Sequence, residues 1–131
     1  MLPVIYPILN IDYVANPEVL AKSLFDCGLN LLQVRAKTSS KDKVVVVLEK
    51  IIKLALQYTP TPRIIINDHY DLVSKYSLFG VHIGQEDGDV HEIRKSVGSD
   101  AIIGFSTHTL EQVVEAQTLP VDYLGFGPRL R

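Results

Sequence analysis

Only one cysteine, Cys27, occurs in this 131-residue chain, so no internal disulfide can brace it. In its apolar helical context Cys27 reads as a small core residue. Charge is not in excess either. Thirteen Lys and Arg face fifteen Asp and Glu, a net −2, which leaves no electrostatic footprint for nucleic acid or an anionic membrane. No run approaches the roughly 18 apolar residues of a membrane span. The apolar N-terminus, Leu2 to Ile11, lacks a basic n-region and a small-residue cleavage site, and reads as a buried strand rather than a signal peptide. A reducing, cytoplasmic setting is the default. No linker, low-complexity tract or composition break divides residues 1–131, so a single domain is expected. Nor does a Gly-x-Gly-x-x-Gly follow the first apolar run. Leu9-Asn10-Ile11-Asp12-Tyr13 stands there, which weighs against a dinucleotide-binding sheet.

What is present is alternation. Short apolar runs, rich in β-branched residues, fall at Val4–Leu9, Leu31–Val34, Arg63–Ile66, Gly80–Ile83, Ala101–Phe105 and Tyr123–Phe126. Each is the length of one buried strand. Helix signals lie between them. Asn16-Pro17-Glu18 is a cap, a first-position proline and a first-turn acid. Val19, Leu20, Ser23, Leu24 and Cys27 follow as one face, and Gly28 can end that helix. Ser39 with Asp42 forms a capping-box pair ahead of Val44–Tyr58. Four valines look locally like strand there, but the spacing Val44, Val47, Leu48, Ile51, Ile52, Ala55 runs on for four turns. Short helices are predicted over Asp71–Tyr76, over Val90–Val97 before Gly98, and from Thr109, paired with Gln112, to about Thr118. The order βαβαβαβαβαβ implies an α/β fold with a parallel, helix-covered sheet, open or closed into a barrel.

The polar residues gather at strand ends: Gln33, Arg35 and Lys37; Asn67 and Asp68; His82, Gln85 and Asp87; Ser106 and His108; Gly125 and Gly127. Asp68 to Asp87 is 19 residues, Asp87 to Ser106 again 19, and Ser106 to Gly127 is 21. A βα repeat of that length returns each set to the C-terminal end of the sheet, where barrels build their chemistry. Strand alternation puts Gln33, Arg35 and Lys37 on one face and Leu32 and Val34 on the other. His82 and Gly84 likewise oppose Val81 and Ile83, and Gly104, Ser106 and His108 share a face. Arg35 and Lys37, two cations one pleat apart, make an anion clamp. Asp68 and Asp87 are hard oxygen donors of the kind that hold magnesium together with phosphate and water. Cations plus a carboxylate-bound metal describe a pyrophosphate site.

Each residue also has a plainer reading. Arg35 could be the buried ion-pair partner of Asp68, and His82 a satisfied core histidine. Asp87 could belong to an ordinary acidic turn, and Ser106 could be a simple strand-end hydroxyl. Those readings leave the common strand end and the even spacing unexplained. Tyr6, Tyr58 and Phe79 are assigned to packing.

Five ordered motifs then carry a resemblance: Gln33-Val34-Arg35-Ala36-Lys37, Ile66-Asn67-Asp68, Gly80-Val81-His82-Ile83-Gly84-Gln85-Glu86-Asp87, Ile103-Gly104-Phe105-Ser106-Thr107-His108, and Asp122-Tyr123-Leu124-Gly125-Phe126-Gly127-Pro128. From about Tyr6 to Pro128 the chain resembles the thiamine phosphate synthase and thiazole tautomerase superfamily. The resemblance implies a (βα)8 TIM-type barrel, here incomplete, with about six parallel strands and five helices. It implies that Gln33, Val34, Arg35, Ala36, Lys37, Asn67 and Ser106 contact a hydroxymethylpyrimidine pyrophosphate. Arg35, Lys37 and Ser106 would be its catalytic members, and Asp68 and Asp87 would hold Mg2+. The implied reaction joins the pyrimidine to a thiazole phosphate and releases pyrophosphate.

Gly84-Gln85-Glu86-Asp87 keeps the acid of the synthase branch, whereas His108 suits either branch. The chain departs from the family where Gly127-Pro128 runs into Arg129-Leu130-Arg131 rather than a threonine-rich phosphate loop and a lysine. It also carries Leu9-Asn10 where the family has Thr-Asp, and Asp71–Phe79 match poorly. Two βα units are therefore expected to be missing, leaving the 131 residues inactive alone and prone to associate with themselves or a completing chain. The alternatives are a tautomerase-like protein and a non-catalytic remnant that keeps a pyrophosphate half-site.

Overall fold

The computed structural model describes residues 5–127. Val4 of the first run, and Pro128 with the Arg129-Leu130-Arg131 ending, lie outside them. Among the described residues the strands and helices alternate from β1 to β6, and the sheet order is β1-β2-β3-β4-β5-β6. This is the sequential α/β arrangement expected. The chain divides into two compact units at Ile65/Ile66, and each is taken by itself.

The first unit holds β1 (Ile8–Asn10), α1 (Pro17–Asp26), β2 (Leu31–Arg35), α2 (Lys41–Ala55) and the start of β3 (Arg63–Asn67). β1 is parallel to β2, with Ile8 opposite Gln33 and Asn10 opposite Arg35. It is shorter than the predicted Val4–Leu9 and lies further along the chain. Pro7 has no N–H for the ladder and enters only through its carbonyl, which accepts from Gln33 N–H at 3.0 Å.

Two helix details differ from expectation. In α1 the buried residues are Ala21 and Phe25, while Val19, Leu20 and Cys27 are exposed. The inward stripe is set by the largest ring: Phe25 meets Tyr58 edge-on, with centroids 5.4 Å apart. Ala21, one turn earlier, lets α1 approach α2 closely. Cys27 falls past that stripe, where the chain already turns into Gly28 at φ +88°. At α2 the cap is Ser40 rather than Ser39, its Oγ accepting from Lys43 N–H at 3.2 Å. The Ser39 hydroxyl is taken by Asp12 instead. Val44, Leu48, Ile51 and Ala55 form the buried stripe of α2.

The second unit holds the end of β3, α3 (Asp71–Tyr76), β4 (Gly80–Ile83), α4 (Val90–Val97), β5 (Ile102–Thr107), α5 (Leu110–Ala116) and β6 (Tyr123–Phe126). β4, β5 and β6 are successive parallel neighbours. Val81, Ile83, Ile103 and Phe105 are buried with Ile93 and Val97 of α4. β5 runs two residues beyond the predicted Phe105, because Ser106 and Thr107 pair with Gly125 and Phe126. The buried Thr107 hydroxyl donates to the Gly125 carbonyl at 2.8 Å. Thr109 caps α5 as predicted, its Oγ1 accepting from Gln112 N–H at 3.1 Å. The Gln112 side chain reaches back one residue further than a capping box requires, accepting from His108 N–H at 2.7 Å. No helix among the described residues is long and apolar enough to cross a membrane.

Candidate functional site

In the first unit the predicted residues follow β2. Gln33 is buried, and its amide donates to the Tyr6 hydroxyl at 3.0 Å, so Tyr6 is a hydrogen-bond partner as well as a packing residue. Val34 and Ala36 are buried, and Val34 is shut off from solvent altogether. Arg35 is half-buried at the strand end and Lys37 is exposed just beyond it. The segment carrying Lys37 hangs on Asp12, a residue that the strand-end pattern did not single out. Asp12 Oδ2 accepts from the N–H groups of Lys37 at 2.6 Å and Thr38 at 3.1 Å. Its Oδ1 accepts from Ser39 N–H at 2.9 Å and Ser39 Oγ at 2.6 Å. The Ser39 hydroxyl, then the Lys37 amide, hold the Asp12 carboxyl well below the usual carboxylate range, against a smaller desolvation effect that raises it. The signal was available: Asp12 is a polar residue just past the C-terminal end of the first strand.

In the second unit the strand ends bring several predicted residues together. Asn67 is buried, and Asp68 adopts the left-handed backbone at φ +66°, a region that Asp tolerates better than most residues. The Asp68 N–H donates to the His82 carbonyl at 2.9 Å, and the Asn67 amide reaches the same oxygen at 3.5 Å. The carboxylate of Asp87 accepts from the Gly84 N–H, closing the turn after β4.

The parallel register sets His82 opposite Gly104, and Gly104 opposite Tyr123. These three residues form one row across β4, β5 and β6. The middle position has no side chain, and a Cβ there would collide with the Tyr123 phenol and His82 Nδ1. Over that gap His82 Nδ1 meets the Tyr123 hydroxyl at 2.9 Å. The other ring nitrogen, Nε2, lies 2.7 Å from Ser106 Oγ, two residues along the same face of β5. Gln85 secures Ser106 from behind, its amide donating to the Ser106 carbonyl at 2.9 Å. His82 is thus a satisfied histidine, but its partner is a predicted site residue. Tyr123, read only as part of a strand, was missed; its position in the row depends on a register that no local pattern states. His108 turns to the chain end, with Nδ1 2.8 Å from the Gly127 carbonyl.

Comparison with known proteins adds a second line of support. A family model described as "Thiamine monophosphate synthase" matches residues 5–130. The chain is 44% identical over 101 residues to the thiamine-phosphate synthase of Shouchella clausii, covering 77% of this chain and 47% of that one. It is 43% identical over 115 residues to the protein of the same name from Caldicellulosiruptor saccharolyticus, covering 87% and 50%. The chain therefore spans about half the length of these relatives. A solved structure, the thiamine phosphate pyrophosphorylase of Pyrococcus furiosus, superimposes with a TM-score of 0.79 over 95% of this chain and 60% of that one. At 21% identity this likeness establishes the shared fold.

Proposed function

The chain belongs to the thiamine monophosphate synthase family, and on that premise we propose that it supplies the pyrimidine-pyrophosphate site of a thiamine phosphate synthase. The transferase joins hydroxymethylpyrimidine pyrophosphate to a thiazole phosphate, giving thiamine phosphate and pyrophosphate. The observation that carries the reading is the gathering of Asn67, Asp68, His82 and Ser106 at the C-terminal ends of β3, β4 and β5, tied to one another through the His82 carbonyl and ring, with Asp87 closing the turn after β4 on Gly84. Binding residues gather at that end in βα folds.

Roles follow from chemistry. Arg35 and Lys37 would bind the pyrophosphate oxygens, the guanidinium as a fork and the ammonium as a point charge. As the bond to the pyrimidine methylene carbon breaks, both cations stabilise the negative charge growing on the departing group. Asp12 holds the backbone that carries Lys37, through the amides of Lys37, Thr38 and Ser39. Ser106 and Asn67 would orient the pyrimidine substrate. Gln33, bonded to the Tyr6 hydroxyl on one face, and the buried Val34 and Ala36 on the other, fix the strand from which Arg35 projects. The thiazole nitrogen then attacks the carbon left electron-poor, an alignment supplied by binding rather than by proton transfer.

Asp68 and Asp87 are hard carboxylates of the kind that suits magnesium, and they would hold it as a pair, since among the described residues no group of three or more His, Cys, Asp or Glu gathers that could hold a metal. A divalent ion there would draw its remaining ligands from water and substrate phosphate, and would neutralise pyrophosphate charge. Calorimetry with hydroxymethylpyrimidine pyrophosphate tests the reading. Binding should require magnesium and fall at least about tenfold in Asp87→Ala, the loss of one strong charge-assisted contact. Equal affinity without metal and in Asp87→Ala would remove the metal assignment.

A further inference from the structure

We infer that His82 is a positioning residue that turns the Ser106 hydroxyl into a hydrogen-bond donor toward the bound ligand, with Tyr123 setting its polarity. A neutral imidazole has one N–H donor and one bare acceptor nitrogen. Both ring nitrogens face a hydroxyl here, at 2.9 Å from Nδ1 and 2.7 Å from Nε2. The two do not compete equally. A phenol, ionising near pH 10, is far more acidic than an aliphatic alcohol and is the better donor. Tyr123 therefore donates to Nδ1, which leaves the proton on Nε2. Nε2–H donates to Ser106 Oγ, and the serine's own hydrogen points away from the ring. A serine held this way offers its proton to an acceptor, whether a phosphate oxygen or a ring nitrogen.

The strands are built for the relay. Gly104 vacates the row so that the imidazole and phenol can meet. Gly125, opposite Ser106, is not required in the same way, since a Cβ there would make only ordinary contact with His82 Cε1 at 3.6 Å. The backbone of both partners is fixed as well, His82 through its carbonyl to Asp68 N–H and Ser106 through its carbonyl to Gln85. The role of Ser106 rests on the function proposed above; the tautomer does not.

Two measurements separate them. Nitrogen-15 spectra of the His82 ring, taken above the ordinary imidazole range near pH 6.5, should show the Nε2–H tautomer. Tyr123→Phe, which keeps the ring over Gly104 and removes only the hydroxyl, should lose that preference. Binding of hydroxymethylpyrimidine pyrophosphate with magnesium is then compared in two variants. His82→Gln places an amide near the Nε2 position and should stay within about threefold of the parent. His82→Asn places it near Nδ1, abandons Ser106 and should bind about tenfold more weakly, as should Ser106→Ala. A parent protein that binds the ligand but shows the Nδ1–H tautomer overturns the relay alone. So does a parent whose Gln and Asn variants bind equally. A parent with no affinity overturns the proposed function, and with it the role of Ser106 as a donor to the ligand.

Discussion

Asp12 and Ser39, one just past β1 and the other just before the cap of α2, are joined twice: Ser39 donates its amide and its hydroxyl to the same carboxylate oxygen, at 2.9 and 2.6 Å. With Lys37 and Thr38 on the other oxygen, one side chain closes the whole segment after β2. A charged acceptor for three consecutive amides is stronger than a neutral one. Asp12→Asn should therefore loosen this segment without unfolding the unit. Hydrogen exchange at the Lys37, Thr38 and Ser39 amides should accelerate, while the amides of α2 keep their protection.

The same carboxylate gives a pH dependence with a definite sign. Its folded pKa is depressed, chiefly by the Ser39 hydroxyl and then by the Lys37 amide. The stabilisation is fully present above the unfolded carboxylate value near 3.9. It is lost as pH falls below that value toward the depressed folded one. Denaturant midpoints for the parent should drop from pH 5 to pH 2 more steeply than those of Asp12→Asn. Parallel curves would show that Asp12 titrates normally.

Gly104→Ala tests the row across β4, β5 and β6. The added methyl meets the Tyr123 phenol and His82 Nδ1 on two neighbouring strands, and the hydrogen bond between those two groups would have to break or shift. Overpacking of that kind costs about 1–3 kcal/mol. The midpoint of urea unfolding should fall accordingly, and the His82 ring resonances should move. An Ala variant as stable as the parent would mean that the row can open.

The helix caps should differ among themselves. Ser40→Ala removes a side-chain bond to Lys43 N–H, and Thr109→Ala one to Gln112 N–H, each at a cost of about 1 kcal/mol. Asn16 stands at the cap position of α1 but makes no side-chain cap bond. Asn16→Ala should therefore change stability by only a few tenths of a kcal/mol, roughly the range of an ordinary surface substitution. Thermal melts of the three variants decide the order.

Much of this was legible in the chain because the relevant signals are local. The six apolar runs and the Pro17 and Gly98 boundaries depend on neighbours a few residues apart, and the 19-residue recurrence of polar strand ends can be counted along the chain. They specify the element order and most of the candidate site. Tertiary structure decided what depends on partners distant in sequence. Phe25 rather than Val19 faces inward because Tyr58 is there to meet it. Ser39 yields the α2 cap to Ser40 because Asp12, 27 residues earlier, takes its hydroxyl. His82 and Tyr123, 41 residues apart, touch only because the β4–β5–β6 register puts a glycine between them. A hydrogen bond between distant residues leaves no periodicity in the sequence. Its geometry is fixed by strand register and packing, and these exist only once the chain has folded.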